Sequence, residues 1–180
     1  MSAALTMAAA RSVLLVIDFQ GRLMPSIHDG APAMANARRL IDAAGILGVP
    51  VVYTEQNPEG LGGTAPELLT DGAAVFRKMT FDAMREPGFL NLLPAEREVV
   101  VVGCEAHVCV MQTALGLIEA GRRVWLVRDA IGSRRAESKD VAVARLRAAG
   151  ATVVTAEMVA FEWLGDARHP GFRDVLRLVK

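Results

Sequence analysis

Three side chains of different chemical type stand where open α/β sheets gather their ligands. Asp18 follows the apolar run VLLVI, Lys78 follows AAVFR, and Cys109 opens a helical pattern just after VVVVG. In parallel α/β sheets ligands bind in the crevice at the carboxyl ends of the strands, so an acid, an ammonium and a thiol at such ends can converge. Together they have the parts for acyl transfer. A thiol in the first turn of a helix meets free backbone N–H groups and the positive end of the macrodipole, which predicts a lowered pKa. A nearby carboxylate can take the thiol proton and later return it to a leaving group, and an ammonium can orient that carboxylate and stabilise negative charge. Each residue also has a plainer use: cysteine as a small buried apolar group, aspartate as a strand end or cap, lysine as a solvated surface charge. Position alone leaves both readings open. Cys104, at a strand end without a helix start behind it, reads as core.

The elements that must hold these residues follow from hydropathy. Short β-branched runs over Val13–Ile17, Pro50–Thr54, Ala74–Arg77, Glu98–Gly103, Arg123–Val127 and Thr152–Thr155 alternate with Ala/Leu-rich segments over Ala33–Leu47, Cys109–Ala120 and Glu137–Ala149. Several of the strands are continuously apolar, as strands covered on both faces must be. The three helical segments end at Gly48, Gly121 and Gly150, each followed closely by the next strand. This grammar predicts a three-layer α/β/α doubly wound sheet of about six parallel strands with right-handed crossovers. In the common order 3-2-1-4-5-6, Asp18 and Cys109 come from adjacent central strands while Lys78 leaves an edge strand. The chain after Arg77 must then fold inward.

Composition narrows the possible partners. At 180 residues and 52% hydrophobic content the chain predicts one domain over 1–180, with residues 1–11 a loose extension. Lys and Arg number 20 against 20 Asp and Glu, so no footprint for nucleic acid or anionic lipid is expected. No apolar run approaches the roughly 20 residues that cross a bilayer. A cytoplasmic protein with reduced thiols and a small-molecule substrate is the expectation. GxSxG and the glycine-rich nucleotide loops are absent.

Taken together, Asp18 in VLLVIDFQ, Lys78 in FRKMTFDA and Cys109 in GCEAHVCVMQTAL resemble the three motifs of the isochorismatase-like cysteine hydrolases, and the similarity runs over nearly the whole chain. The segments GCEAHVCVMQTALGLIEAGRRVWLVRDAIGSR and EMVAFEWLGDARHPGFRDVLRLVK resemble the isochorismatase-domain-containing branch in particular. The resemblance implies a six-stranded parallel sheet, a catalytic Asp-Lys-Cys triad and a homo-oligomer. It also implies a cis peptide near Cys104 and Glu105, with Glu105, Ala106 and Cys109 supplying backbone for an oxyanion site. Nicotinamidases of the family carry an Asp-x-His metal pair after the second strand. Thr54, Glu55, Gln56 and Asn57 stand there instead, and His28, His107 and His169 do not cluster. No metal and no other cofactor is expected.

Around the triad, Phe19 and Phe81 are candidate cavity walls and Glu55 and Gln56 candidate pocket lining, while His107 is a candidate substrate contact. Arg134 and Arg135 read as solvated, with an oligomer contact as their other use. The expected chemistry is metal-independent hydrolysis of an amide or related acyl bond through a Cys109 thioester. Isochorismate-type vinyl-ether hydrolysis and a non-enzymatic oligomeric scaffold are the alternatives.

Overall fold

The computed structural model describes residues 5–180. Six strands, β1 (Ser12–Ile17), β2 (Val51–Gln56), β3 (Ala74–Lys78), β4 (Glu98–Cys104), β5 (Val124–Gly132) and β6 (Thr152–Val154), form one sheet in the order β3-β2-β1-β4-β5-β6. All five pairings are parallel. The helices are α1 (Gly30–Leu47), α2 (Pro58–Leu61), α3 (Met111–Glu119), α4 (Ala136–Ala148), α5 (Ala156–Leu164) and α6 (Phe172–Val179). They divide between the two faces of the sheet, as the strand-and-helix alternation predicts.

The two-residue period of the strands splits one apolar run between two cores. Leu14, Val16, Val100 and Val102 pack with Leu40, Ile41, Val159 and Trp163 of α1 and α5. Val13, Leu15, Ile17, Val99 and Val101 pack with Ala114, Leu117, Val143 and Leu146 of α3 and α4. In the central strands Val13–Ile17 and Val99–Val102 are therefore apolar at every position and buried. α1 stops where Gly48 takes a left-handed φ of 69° and returns its N–H to the Ala44 carbonyl.

Several elements depart from the sequence reading. β5 runs on from Val127 to Gly132 through Arg128 and Asp129, past a register shift between Val101 and Gly103 that sets Ile131 beside Gly103. α5 and α6 were not predicted; the Thr155 hydroxyl caps α5 by accepting from the Met158 N–H. The expected loose segment through Arg11 lies outside the described residues at 1–4, but Met7 is buried and its N–H donates to Glu162 Oε2 at 2.6 Å. Ala9–Arg11 form a 3-10 turn leading into β1.

Candidate active site

The strand ends bring the acid and the ammonium into contact. Ile17 pairs with Thr54 on one side and Gly103 on the other, so Asp18 emerges at the middle of the sheet edge, with a left-handed φ of 49° that ends the strand. Lys78 pairs with Gln56 at the end of β3, and its Nζ reaches past β2 to Asp18 Oδ2 at 2.8 Å. Both side chains are fully buried. The Thr54 hydroxyl donates to the other carboxylate oxygen, Oδ1, at 2.6 Å. Lys78 also donates to the Thr80 and Phe81 carbonyls, at 3.1 and 3.4 Å.

The inward fold that the edge position of β3 demands is built by residues 79–86. Glu86 Oε1 accepts from the Met79 and Thr80 N–H groups and the Thr80 hydroxyl, bonds that hold its carboxyl below the usual range. The Ala83 N–H then donates to Thr113 Oγ1 of α3 at 3.1 Å. That docking is close. A Cβ on Gly116 would sit 2.9 Å from the Met84 Cβ.

Cys109 enters from the other side of Asp18. The peptide between Cys104 and Glu105 is cis, where the resemblance implied it. Residues 106–110 then form a π-helical turn in place of the expected first turn of an α-helix. The Glu105 carbonyl accepts from the Val108 and Val110 N–H groups at 3.0 and 3.2 Å, passing over Cys109 between them. Cys109 is buried, and the Asp18 carboxylate lies close enough for its charge to act on the thiol.

The expected lowering of the Cys109 pKa is reversed. Burial pushes the thiol up first, the Asp18 charge pushes it further, and Lys78 only partly opposes them. Desolvation and an adjacent anion outweigh the helix terminus, so the resting sulfur carries its proton. Cys104 is a core residue, its thiol pushed up by burial to about 12.

Asp18 and Cys109 border a cavity of about 490 Å³. Leu23, Leu61, Phe81 and Val108 supply its apolar wall, and Gln56 and Ser26 add polar groups. Phe81 and Gln56 thus line this cavity. Three other residues expected there do not. Phe19 is buried in the core on the α1 face, because the left-handed turn at Asp18 breaks the alternation that would have aimed it. Glu55 turns toward the loop of α2, its Oε1 accepting from the Thr64 N–H and hydroxyl and its Oε2 facing Arg77 at 3.5 Å. His107 bonds through Nδ1 to Ser133 Oγ at 2.9 Å and faces neighbouring hollows along α4.

Two arginines were missed as lining. Arg134, read as solvated, donates from Nε and from its backbone N–H to Glu105 Oε2, at 2.9 and 3.1 Å, and borders the cavity. Arg22 also borders it. Nothing in the local sequence distinguishes these from surface arginines; only the long-range pairing brings them to the site. Among the described residues no three His, Cys, Asp or Glu side chains gather in a metal-ligating group, and no helix is long and apolar enough to cross a membrane.

This site sits on a sheet whose relatives are known. Residues 12–158 match the Isochorismatase domain family. The chain belongs to the isochorismatase family. Isochorismatase domain-containing protein 2 of Danio rerio is 37% identical over 170 residues, covering 93% of this chain and 86% of that protein. Among solved structures, the MAR1 ribonuclease of Caenorhabditis elegans superposes with a TM-score of 0.92 at 37% identity, over 97% of this chain and 92% of its own. YcaC from Pseudomonas aeruginosa, in a structure holding hexane-2,5-diol and covalent acrylamide, superposes with a TM-score of 0.91 at 25% identity, over 99% of this chain and 93% of its own. Membership in the family makes this an isochorismatase-type hydrolase fold.

Proposed function

We propose that the protein is a metal-independent cysteine hydrolase that cleaves an amide, or a related acyl bond, of a small molecule. The observation that carries this reading is the buried Lys78–Asp18 ion pair and the Cys109 thiol brought to one cavity of small-molecule size, which Asp18 and Cys109 both border. As sulfur attacks the carbonyl carbon, its proton passes to the Asp18 carboxylate, which borders the same cavity and is oriented by Lys78 and Thr54. Backbone N–H groups of Ala106 and Cys109, in the turn after Glu105, are assigned to the oxyanion. Collapse of the tetrahedral adduct breaks the C–N bond, the amine leaving with the proton held by Asp18. Water then gives a proton to Asp18 and attacks the thioester. The acid departs and the sulfur recovers its proton.

A neutral resting thiol fits this scheme, since the carboxylate that raises the thiol pKa is also the group that accepts the proton. YcaC, 25% identical, carries covalent acrylamide in its structure, which supports looking for a covalent adduct on this chain. The MAR1 neighbour is named a ribonuclease; on this chain a thiol has no part in phosphodiester cleavage and the net charge is zero, so small acyl compounds are favoured over RNA. Cytoplasmic work with both cysteines reduced, in a homo-oligomer, belongs to the same proposal; both thiols are free.

Mass spectrometry of the protein mixed with a panel of small amides should show an acyl adduct on Cys109, and Cys109→Ala should abolish turnover. Undiminished turnover in Cys109→Ala would rule the mechanism out. Turnover that survives alkylation of Cys109 would instead favour vinyl-ether hydrolysis.

A further inference from the structure

Resting on that reading of the cavity, the charges around it point to one feature of the substrate. Asp18 has its cation in Lys78, and Glu105 has its cation in Arg134. Arg22 has none. Its Nη1 donates to the backbone carbonyls of Glu59 and Gly60 at 3.0 and 3.2 Å, and no carboxylate lies within ion-pair reach among the described residues. The residue is nevertheless held in place. Its own N–H donates to the Leu61 carbonyl at 3.0 Å, Gly21 donates to Gly63 at 3.1 Å, and Gln20 ties the same segment to the carbonyls of Gln56 and Gly62. The stem of Arg22 runs beside Gly62, where a Cβ would lie 3.7 Å from the Arg22 Cγ.

This exposed guanidinium, held through Nη1 by two backbone carbonyls at the rim of a partly apolar cavity, has its Nε and Nη2 hydrogens without protein acceptors among the described residues, in the fork that matches a carboxylate. We propose that Arg22 is the anion-binding subsite of the Cys109 cavity, and that the substrate is a small acyl compound carrying a carboxylate remote from the bond that is cleaved. With the other two cations neutralised by their partners, Arg22 is the lining group left to supply net positive charge, so a neutral substrate leaves it unused and an anionic one satisfies it. The cavity volume suits a compound of that size.

Two alkylating reagents of nearly equal shape test this without knowledge of the substrate. With either iodoacetamide or iodoacetate the Cys109 sulfur displaces iodide, forming one C–S bond while its proton leaves through Asp18 to solvent. The ratio of the two rates therefore reads charge. Measured at Cys109 by mass spectrometry on the full chain, the iodoacetate to iodoacetamide ratio should exceed that of free glutathione by about fivefold. It should fall to the glutathione value in Arg22→Met and be partly kept in Arg22→Lys; because both reagents meet the same thiol, the ratio cancels any change in its intrinsic reactivity, and a wild-type melting temperature shows that the variants are folded. A wild-type ratio equal to that of glutathione, or one unaltered by Arg22→Met, overturns the assignment of Arg22 while leaving Cys109 as nucleophile. A Cys109 inert to both reagents overturns the nucleophile and this proposal with it.

Discussion

The acid and the ammonium at the site depend on each other before any chemistry occurs. Asp18 and Lys78 are almost wholly excluded from water, and each is the other's charge partner. Removing one member strands a buried charge, which costs about 3–5 kcal/mol. Lys78→Met should therefore lower unfolding stability by that amount in urea titrations, and the Asp18→Asn, Lys78→Met double variant should recover part of it. A lysine substitution that leaves the midpoint unchanged would mean the pair is not buried in solution. Asp18, Lys78 and Cys109 were legible because strand ends, order in the chain and residue type agreed. Arg22, Arg134 and Thr54 were not, since their roles come from contacts with residues far along the chain, 36 positions in the case of Thr54 and Asp18.

At the level of elements, glycine decides how closely β4, the strand that leads to Cys109, approaches its neighbour. Gly103 has φ of +143°, and a Cβ there would lie 2.2 Å from the Ile17 carbonyl oxygen, a backbone atom that cannot swing aside. Gly103→Ala should destabilise the protein by several kcal/mol and disturb the turn that carries Cys109. A variant with wild-type thermal stability would show that β1 and β4 lie further apart than described. The strands and the three long helices were readable from periodicity and glycine stops. The π-helical turn was not, because its extra residue changes hydrogen bonding without changing hydropathy, and that is also where the forecast of a lowered thiol pKa failed. The continuation of β5 was hidden by Arg128 and Asp129, whose charges read as a strand end although Arg128 points out to Asp140.

Across the whole molecule, burial of two thiols links stability to alkaline pH. Both are pushed above the ordinary value of about 8.5, Cys104 to about 12. The unfolded chain therefore loses these protons first, so the stability they confer is full below about pH 8.5 and is lost as pH rises toward 12. Cys104→Ala should lose stability less steeply than wild type between pH 9 and 11, by on the order of 1 kcal/mol per pH unit, and equal slopes in denaturant titrations would contradict the assignment. The proposed homo-oligomer predicts a dimer or larger species in sedimentation, and a monomer would contradict it; Met158 and Phe161 of α5 are apolar side chains left exposed. The alternation of elements implies a parallel sheet, and the edge position of β3 in the common doubly wound order requires the inward course of residues 79–86, but its bonds to Glu86 and Thr113 have no local signal in the sequence. In the proposed mechanism the fold positions one proton on sulfur with a carboxylate to receive it. The rate of Cys109 alkylation by iodoacetamide at pH 7, compared between wild type and Asp18→Asn, reads that transfer directly. A general base predicts a fall of about a hundredfold or more in Asp18→Asn, whereas an equal or faster rate would mean that the Asp18 charge only suppresses ionisation of the thiol.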